Sequence, residues 1–188
     1  CQPFSSAGMQ MGVDDPYGRG GMLGHIIRIC KVKKPKYLFL ENVKGFTHGK
    51  FQPIHDQLIK DLTEMGYGEN PLAKAVLNSK DYGIPQNRER LWMFARLGGL
   101  PENFSMVPDK VESNLKMADF LDYNPDKKLY LSEVQIEHLK EKHHIESFAV
   151  ESPLCFDVYN KKIKFDGFCI TITQPEHNSL RVVEVPKE

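Results

Sequence analysis

The chain has no long apolar run, no excess of either charge and few cysteines, and each absence excludes a class of protein. No stretch of the 188 residues is long and apolar enough to span a bilayer, and no signal peptide is recognisable. The four cysteines lack the close CxxC spacing of zinc sites and of small disulfide frameworks, which favours a reducing cytoplasm. Basic and acidic residues number 25 each, so a polyanion has to bind a local basic face.

Three groups of basic residues are candidates for such a face, at 31–36, 80–90 and 161–164. The first ends a predicted helix, where lysines offset the helix dipole without any ligand. His138, His143 and His144 suggest a metal site, but no carboxylate or cysteine lies at ligand spacing. We interpret these histidines as a solvated helix end and expect no metal. The chain also lacks internal repeats and low-complexity segments.

The apolar pattern predicts an α/β domain over the first part of the chain. In chain order the predicted elements are a helix at 20–34, a strand at 37–40, a helix at 51–65, and strands at 73–77 and 91–95. The first strand is a continuous apolar run, which is typical of a strand buried on both faces of a parallel sheet. Glu41 and Asn42 follow it directly, at the kind of edge where ligands of open α/β sheets bind.

A second, smaller region of mixed α+β structure is predicted beyond an irregular stretch rich in Gly, Pro, Asn and Ser. We divide the chain into a catalytic domain at 1–98, a linker at 99–114 and this region at 115–188. A capping box at 132–135 predicts a helix that runs to His143. Alternation at 168–173, with Phe168, Ile170 and Ile172 on one face, predicts a half-exposed strand.

Three short polar motifs then resemble, in order, those of the cytosine-C5 DNA methyltransferases. Cys-Gln-Pro-Phe-Ser at 1–5 resembles the nucleophile loop, Glu-Asn-Val at 41–43 a strand-end motif, and Gln-Asn-Arg-Glu-Arg at 86–90 the Gln-x-Arg-x-Arg motif. Each match alone is weak, and two arginines at such spacing are more often surface residues. Their order, with α/β elements between them, identifies residues 1–97 as similar to the catalytic domain of this family. Residues 115–188 resemble the start of its target-recognition region.

The resemblance implies a Rossmann-like, S-adenosylmethionine-dependent methyltransferase fold and a covalent reaction on cytosine. Cys1 would add to C6 of the ring, which makes C5 nucleophilic. Glu41 would hydrogen-bond N3 and the exocyclic amine, so that charge does not build up on the ring. Arg90, and also Arg88, would reach O2 of the base or orient Glu41. Because C6 is out of reach in duplex DNA, the target cytosine would be flipped out.

The resemblance also suggests supporting residues and partners. They are DNA contacts at Gln2, Ser5, Ser6 and Arg88, structural roles for Asn42 and Gln86, and a donor contact at Met22. The Gly-rich loop and the acidic residue that bind the donor in this family are not found. We therefore expect that the chain alone neither binds the donor well nor methylates, and that a second polypeptide is one possible source of the donor site.

Several alternatives stay open at this point. The chain begins with Cys1 in mid-motif, so a fragment, a cleavage product, a partial record and a subunit of a split enzyme all fit. A related enzyme that acts on RNA is a second interpretation, and a non-catalytic nucleic-acid-binding module is a third. The region after residue 110 favours duplex DNA, and the survival of all three motifs favours catalysis. The target sequence, the oligomeric state and a paired restriction enzyme do not follow from the sequence.

Overall fold

The fold is given by a computed structural model, which describes residues 21–122, 124, 126–143, 154–157, 160, 162–172 and 180–183. The chain forms two compact units. The first takes the chain up to Leu77 together with Glu89–Asp109, and the second takes Asn78–Arg88 together with the chain from Lys110. The domain limits given above stay a prediction. None of the helices in the described ranges has the length and apolar character needed to cross a bilayer.

In the part of the first unit that the structure describes there are two α-helices and a three-stranded sheet. In chain order these are α1 (Met22–Lys33), β1 (Tyr37–Asn42), α2 (Gln52–Glu64), β2 (Ala73–Asn78) and β3 (Glu89–Arg96). The strand order is β1-β3-β2, and β1 runs antiparallel to β3. All five elements predicted for this part of the chain are confirmed, with ends that shift by no more than two residues.

Both helices pack their apolar sides against one face of the sheet. The buried side chains of this core are Ile27 and Cys30 in α1, Leu58 and Leu62 in α2, Leu38 in β1, and Leu91, Met93 and Ala95 in β3. Alternation along β3 places its three residues on the same face. α1 ends where Lys34 takes a left-handed φ of 42°, directly before Pro35.

The opposite face of the sheet carries aromatic side chains. Phe39 stacks on Trp92 with 5.0 Å between ring centroids, and Tyr37 stacks on Phe94 at 6.0 Å. Tyr37 and Phe39 are nevertheless 54% and 64% exposed. The prediction that β1 is buried on both faces of a parallel sheet is therefore wrong for the described chain. Its neighbour is antiparallel, and α1 and α2 pack with Leu38 on the other face only.

The described residues of the second unit form one α-helix and a small antiparallel sheet, in agreement with the mixed α+β prediction. These elements are α3 (Glu133–His143), β4 (Leu154–Asp157), β5 (Lys162–Lys164) and β6 (Leu180–Val183). β4 is the central strand and pairs with both neighbours. Leu139 of α3 packs on the sheet in a core with Leu154, Phe156 and Val183. The predicted helix to His143 is confirmed.

The capping box at the start of α3 is also confirmed. The Gln135 N–H donates to Oγ of Ser132 at 3.4 Å, and the Ser132 N–H donates to Oε1 of Gln135 at 3.1 Å. These two bonds satisfy N–H groups that have no partner inside the helix.

The strand predicted at 168–173 is wrong over its described residues, 168–172. Cys169 forms only an isolated bridge with Gln86, and Thr173 lies outside the described residues. Cys169 is buried, whereas Ile172, on the face predicted to be apolar, is 47% exposed. The reason is that the backbone here pairs with the loop at 78–88 and not with a neighbouring strand.

Candidate active site

Glu41 and Arg90 meet where β1 ends and β3 begins. Glu41 lies opposite Trp92 in the antiparallel register, so Arg90 is its diagonal neighbour on the same face of the sheet. Nε of Arg90 lies 2.9 Å from Oε1 of Glu41, and the two side chains are 18% and 29% exposed. The ion pair orients a carboxylate that stays partly open to solvent. It joins two of the three motifs, which are far apart in the chain.

A second ion pair links the same two motifs. Lys44 contacts Glu89 through Nζ and Oε2, and both side chains are largely exposed. If the register of β1 and β3 is continued beyond Asn42, Lys44 comes opposite Glu89. Sequence reasoning did not identify this pair. Its signal was the opposite charge of Lys44, which follows the first of these motifs, and Glu89, which lies inside the second. That signal becomes informative only once the register of β1 and β3 is known.

Asn42 holds the turn that follows β1. Its Oδ1 accepts a hydrogen bond from the N–H of Val43 at 2.9 Å, just before the short 3-10 turn Lys44–Thr47. In that turn Phe46 is buried against α2, with its ring edge-on to the ring of His55 at 6.0 Å. The backbone next to Glu41 is therefore supported by the core of the first unit.

His55 of α2, which contacts Phe46, is a buried polar side chain. Its Nε2 lies 3.3 Å from Nζ of Lys74, and its Nδ1 lies 3.3 Å from a carboxylate oxygen of Asp56. Burial lowers the pKa of His55 from its ordinary value of 6.5, and the positive charge of Lys74 lowers it further. The imidazole is consequently neutral in the folded protein near neutral pH.

The loop at 78–88 contains the first three residues of the Gln-x-Arg-x-Arg motif. Its own first two residues, Asn78 and Ser79, hydrogen-bond to its last residues. Oδ1 of Asn78 accepts hydrogen bonds from the N–H groups of Lys80 at 3.3 Å and Arg88 at 3.0 Å. Nδ2 of Asn78 donates to Oδ1 of Asn87 at 2.6 Å, and Oγ of Ser79 donates to the carbonyl of Gln86 at 2.7 Å. Sequence reasoning did not identify Asn78, which organises the loop from a position outside the motif.

The same loop is held by other segments of the second unit. The N–H of Val111 donates to the carbonyl of Asp81 at 3.0 Å, and Nζ of Lys110 lies 3.4 Å from the Asp81 carboxylate. Gly83 has a φ of 84°, which favours glycine, so the turn in the Asp-Tyr-Gly-Ile-Pro part of the loop depends on it. Gln86 forms the isolated bridge to Cys169.

The two motif arginines have different surroundings. Arg90 belongs to the first unit and pairs with Glu41, whereas Arg88 belongs to the second. Nη1 of Arg88 lies 3.5 Å from the carbonyl of Ile172, a weak contact. The structure therefore brings Glu41 and Arg90 together and assigns Arg88 other neighbours.

Of the remaining predicted site residues, four lie outside the described part of the chain and one begins α1. Cys1, Gln2, Ser5 and Ser6 lie outside the described residues. Met22 begins α1 and is 57% exposed. The functional roles of all the predicted site residues stay predictions.

The three described cysteines have the properties of structural residues. Cys30, Cys155 and Cys169 are buried free thiols. Burial raises the pKa of each, and that of Cys155 reaches about 11. A thiol attacks as its thiolate, so these three are poor nucleophiles. Among the described residues no group of three or more His, Cys, Asp or Glu side chains is placed to hold a metal ion.

The fold of the chain is similar to that of solved methyltransferase structures. A methyltransferase of Entamoeba histolytica, EhMeth, aligns with a TM-score of 0.56 and 21% identity, over 96% of this chain and 58% of that one. The Dnmt2 methyltransferase of S. pombe aligns with a TM-score of 0.51 and 23% identity, over 94% of this chain and 55% of that one. The chain therefore has the α/β fold of these methyltransferases.

Sequence similarity identifies the family. Residues 1–170 match the family described as C-5 cytosine-specific DNA methylase, and the chain belongs to it. The Type II methyltransferase M.HhaI of Haemophilus parahaemolyticus is 36% identical over 139 residues, which is 74% of this chain and 38% of that protein. M2.ScrFI of Lactococcus lactis subsp. cremoris is 36% identical over 137 residues, which is 72% of this chain and 37% of that protein. The chain thus spans less than half the length of these two relatives.

Proposed function

We propose that the chain acts as part of a DNA cytosine-C5 methyltransferase, which moves a methyl group from S-adenosylmethionine to C5 of a flipped cytosine. The observation that carries the proposal is the 2.9 Å ion pair between Glu41 and Arg90. It places a carboxylate and a guanidinium from two separate family motifs side by side. Relatives named Type II methyltransferases support DNA as the substrate and a role in restriction–modification.

In this proposal the chain's own residues activate the ring. The Cys1 thiolate adds to C6, and the electron pair of the C5–C6 double bond moves to C5. Glu41, oriented by Arg90, takes up a proton that it shares with N3 in a hydrogen bond, and it accepts a hydrogen bond from the exocyclic amine, which limits the negative charge on the ring. Loss of the C5 proton to a base then expels the Cys1 thiolate and restores the double bond. S-Adenosylmethionine supplies the electrophilic methyl group that C5 takes up between these steps.

Other residues would hold the substrates. Gln2, Ser5 and Ser6 are assigned to the DNA backbone, and so is Arg88, because Arg90 is engaged with Glu41. Flipping is required because the thiolate needs access to C6. Met22 is the one described residue assigned to the methyl donor, and its exposed side chain at the start of α1 suits an apolar contact. We also propose that the chain alone binds S-adenosylmethionine weakly, and that a second polypeptide is one source of further contacts to this donor. A micromolar affinity of the isolated chain for the donor, measured by calorimetry, would contradict weak binding.

A trapped covalent adduct tests the proposed function. The chain, expressed within its complete reading frame, is mixed with S-adenosylmethionine and duplexes that carry 5-fluorocytosine in varied contexts. Fluorine at C5 blocks the final elimination, so we expect an adduct in denaturing mass analysis that is lost in Cys1→Ser. An adduct with RNA alone indicates the RNA enzyme instead. No adduct with either, with nucleic-acid binding intact, indicates a binding module.

A further inference from the structure

Three hydrogen bonds join the backbone at 85–87, just before Arg88, to the segment 169–172. The N–H of Asn87 donates to the carbonyl of Cys169 at 2.7 Å, and the N–H of Cys169 donates to the carbonyl of Pro85 at 3.0 Å. Oγ1 of Thr171 donates to the carbonyl of Asn87 at 3.0 Å. Of these three bonds only the last uses a side chain, so only the last can be removed by substitution.

The segment that makes these bonds is itself anchored. Cys169 is buried in a cluster with Met117 and Cys155. The N–H of Ile170 lies 3.5 Å from Sγ of Cys155, which belongs to the central strand β4. A support of this kind moves little, because its strand is paired on both sides and its side chains are packed.

Thr171 and Asn78 hold the two ends of one peptide group. The carbonyl of Asn87 and the N–H of Arg88 lie in the same rigid plane. Thr171 binds the carbonyl at 3.0 Å, and Oδ1 of Asn78 accepts from the N–H at 3.0 Å. With both ends fixed this plane cannot rotate. The peptide group after Arg88 is also held, because the N–H of Ser79 donates to the carbonyl of Arg88 at 3.2 Å, so the direction in which the Arg88 side chain leaves the backbone is fixed from both sides.

We propose that Thr171 is a positioning residue for Arg88, which acts through the peptide group between Asn87 and Arg88. The inference rests on the proposed function, in which Arg88 contacts DNA. It assigns a role to a residue of the second unit that lies outside all three motifs. A nucleic-acid ligand bound by this unit would meet an arginine that is already oriented, and pre-organisation of this kind improves affinity.

A double-mutant cycle on DNA affinity tests the proposal. Thr171→Val removes the hydroxyl and keeps the branched shape, whereas Thr171→Ser keeps the hydroxyl. With a fluorescent duplex and the chain, we expect Thr171→Val to weaken binding about fivefold, the usual effect of one lost hydrogen bond. Thr171→Ser should restore affinity, and in an Arg88→Gln background Thr171→Val should have no further effect. Thr47→Val is the matched control, since Thr47 Oγ1 contacts Nδ1 of His48 at 2.9 Å in the first unit.

Amide exchange gives a second readout that needs no DNA. In Thr171→Val the Arg88 amide should exchange about fivefold faster, while the amides of α3 keep their rates. Equal losses of affinity from Thr171→Val in both Arg88 backgrounds, or an unchanged Arg88 amide, overturn the positioning role. If the wild-type chain binds no duplex, the result contradicts the proposed contact between Arg88 and DNA. The exchange rate of the Arg88 amide then tests by itself whether Thr171 positions Arg88.

Discussion

Arg90 contacts Glu41 through Nε, while its Nη1 donates to the carbonyl of Glu89 at 2.8 Å. The guanidinium thus pairs by charge with the carboxylate and by a hydrogen bond with a backbone carbonyl, and a lysine ammonium cannot reproduce that arrangement. We predict that Arg90→Lys lowers the rate of adduct formation with 5-fluorocytosine duplexes about 100-fold, because a misplaced catalytic group costs about that much. Arg96→Lys, at the other end of β3, is the control and should leave the rate unchanged. Equal rates for both variants contradict an orienting role for Arg90.

His55 gives a pH dependence of stability whose sign follows from its lowered pKa. The unfolded chain binds a proton at His55 near the ordinary value of 6.5, whereas the folded protein binds it only at lower pH. The free energy of unfolding therefore falls as the pH drops below about 6.5, and it levels off once the folded state is protonated too. Denaturant unfolding between pH 5 and pH 8 measures this fall.

The matched variants for this test are His55→Gln and His25→Gln. His55→Gln should flatten the dependence, whereas His25→Gln, a change at an exposed position of α1, should keep it. A dependence that survives in His55→Gln assigns the titration to another group.

At the scale of the elements, the capping box of α3 yields a stability prediction. Ser132→Ala removes the acceptor for the N–H of Gln135 and should destabilise the helix by about 1 kcal/mol. Ser132→Asp keeps an acceptor and should show no such loss. Amide exchange in the first turn of Glu133–His143 measures the effect, with about fivefold faster exchange expected for alanine alone. Equal rates in the two variants show that the cap contributes nothing.

Local patterns were sufficient for elements whose structure depends on nearby residues. The helices at 22–33 and 52–64 follow from apolar spacing and from their stop signals at Lys34–Pro35 and Gly66. The cap at Ser132 follows from four adjacent residues. The segment 168–172 shows where this reasoning fails. Its alternation is typical of a strand, yet its partners lie at 85–87, and no local pattern encodes a partner so distant in the chain.

In the candidate site, too, some residues could be predicted from the sequence and others could not. Glu41 and Arg90 were predicted from motifs, and their ion pair follows from the register of β1 and β3. Lys44, Glu89, Asn78 and Thr171 were not predicted, because each acts through a contact that exists only after the strands and the loop have folded. Their residue types are ordinary for turns and strand ends, so composition gives no signal.

For the whole molecule, a net charge of zero makes any salt dependence of DNA binding a report on local contacts. Arg90 is paired with Glu41, and Lys31 and Lys33 lie in the last turn of α1, where they offset its dipole. In the proposed function we assign the phosphate contacts to Lys80 and Arg88 of the loop at 78–88. The double variant Lys80→Gln/Arg88→Gln should therefore reduce the slope of log K against log salt by about 1.8, or 0.9 for each phosphate contact. The control Lys31→Gln/Lys33→Gln removes the same charge and should leave the slope unchanged. An equal reduction of the slope in both double variants would mean that DNA is attracted by the overall charge of the chain and not by contacts at Lys80 and Arg88.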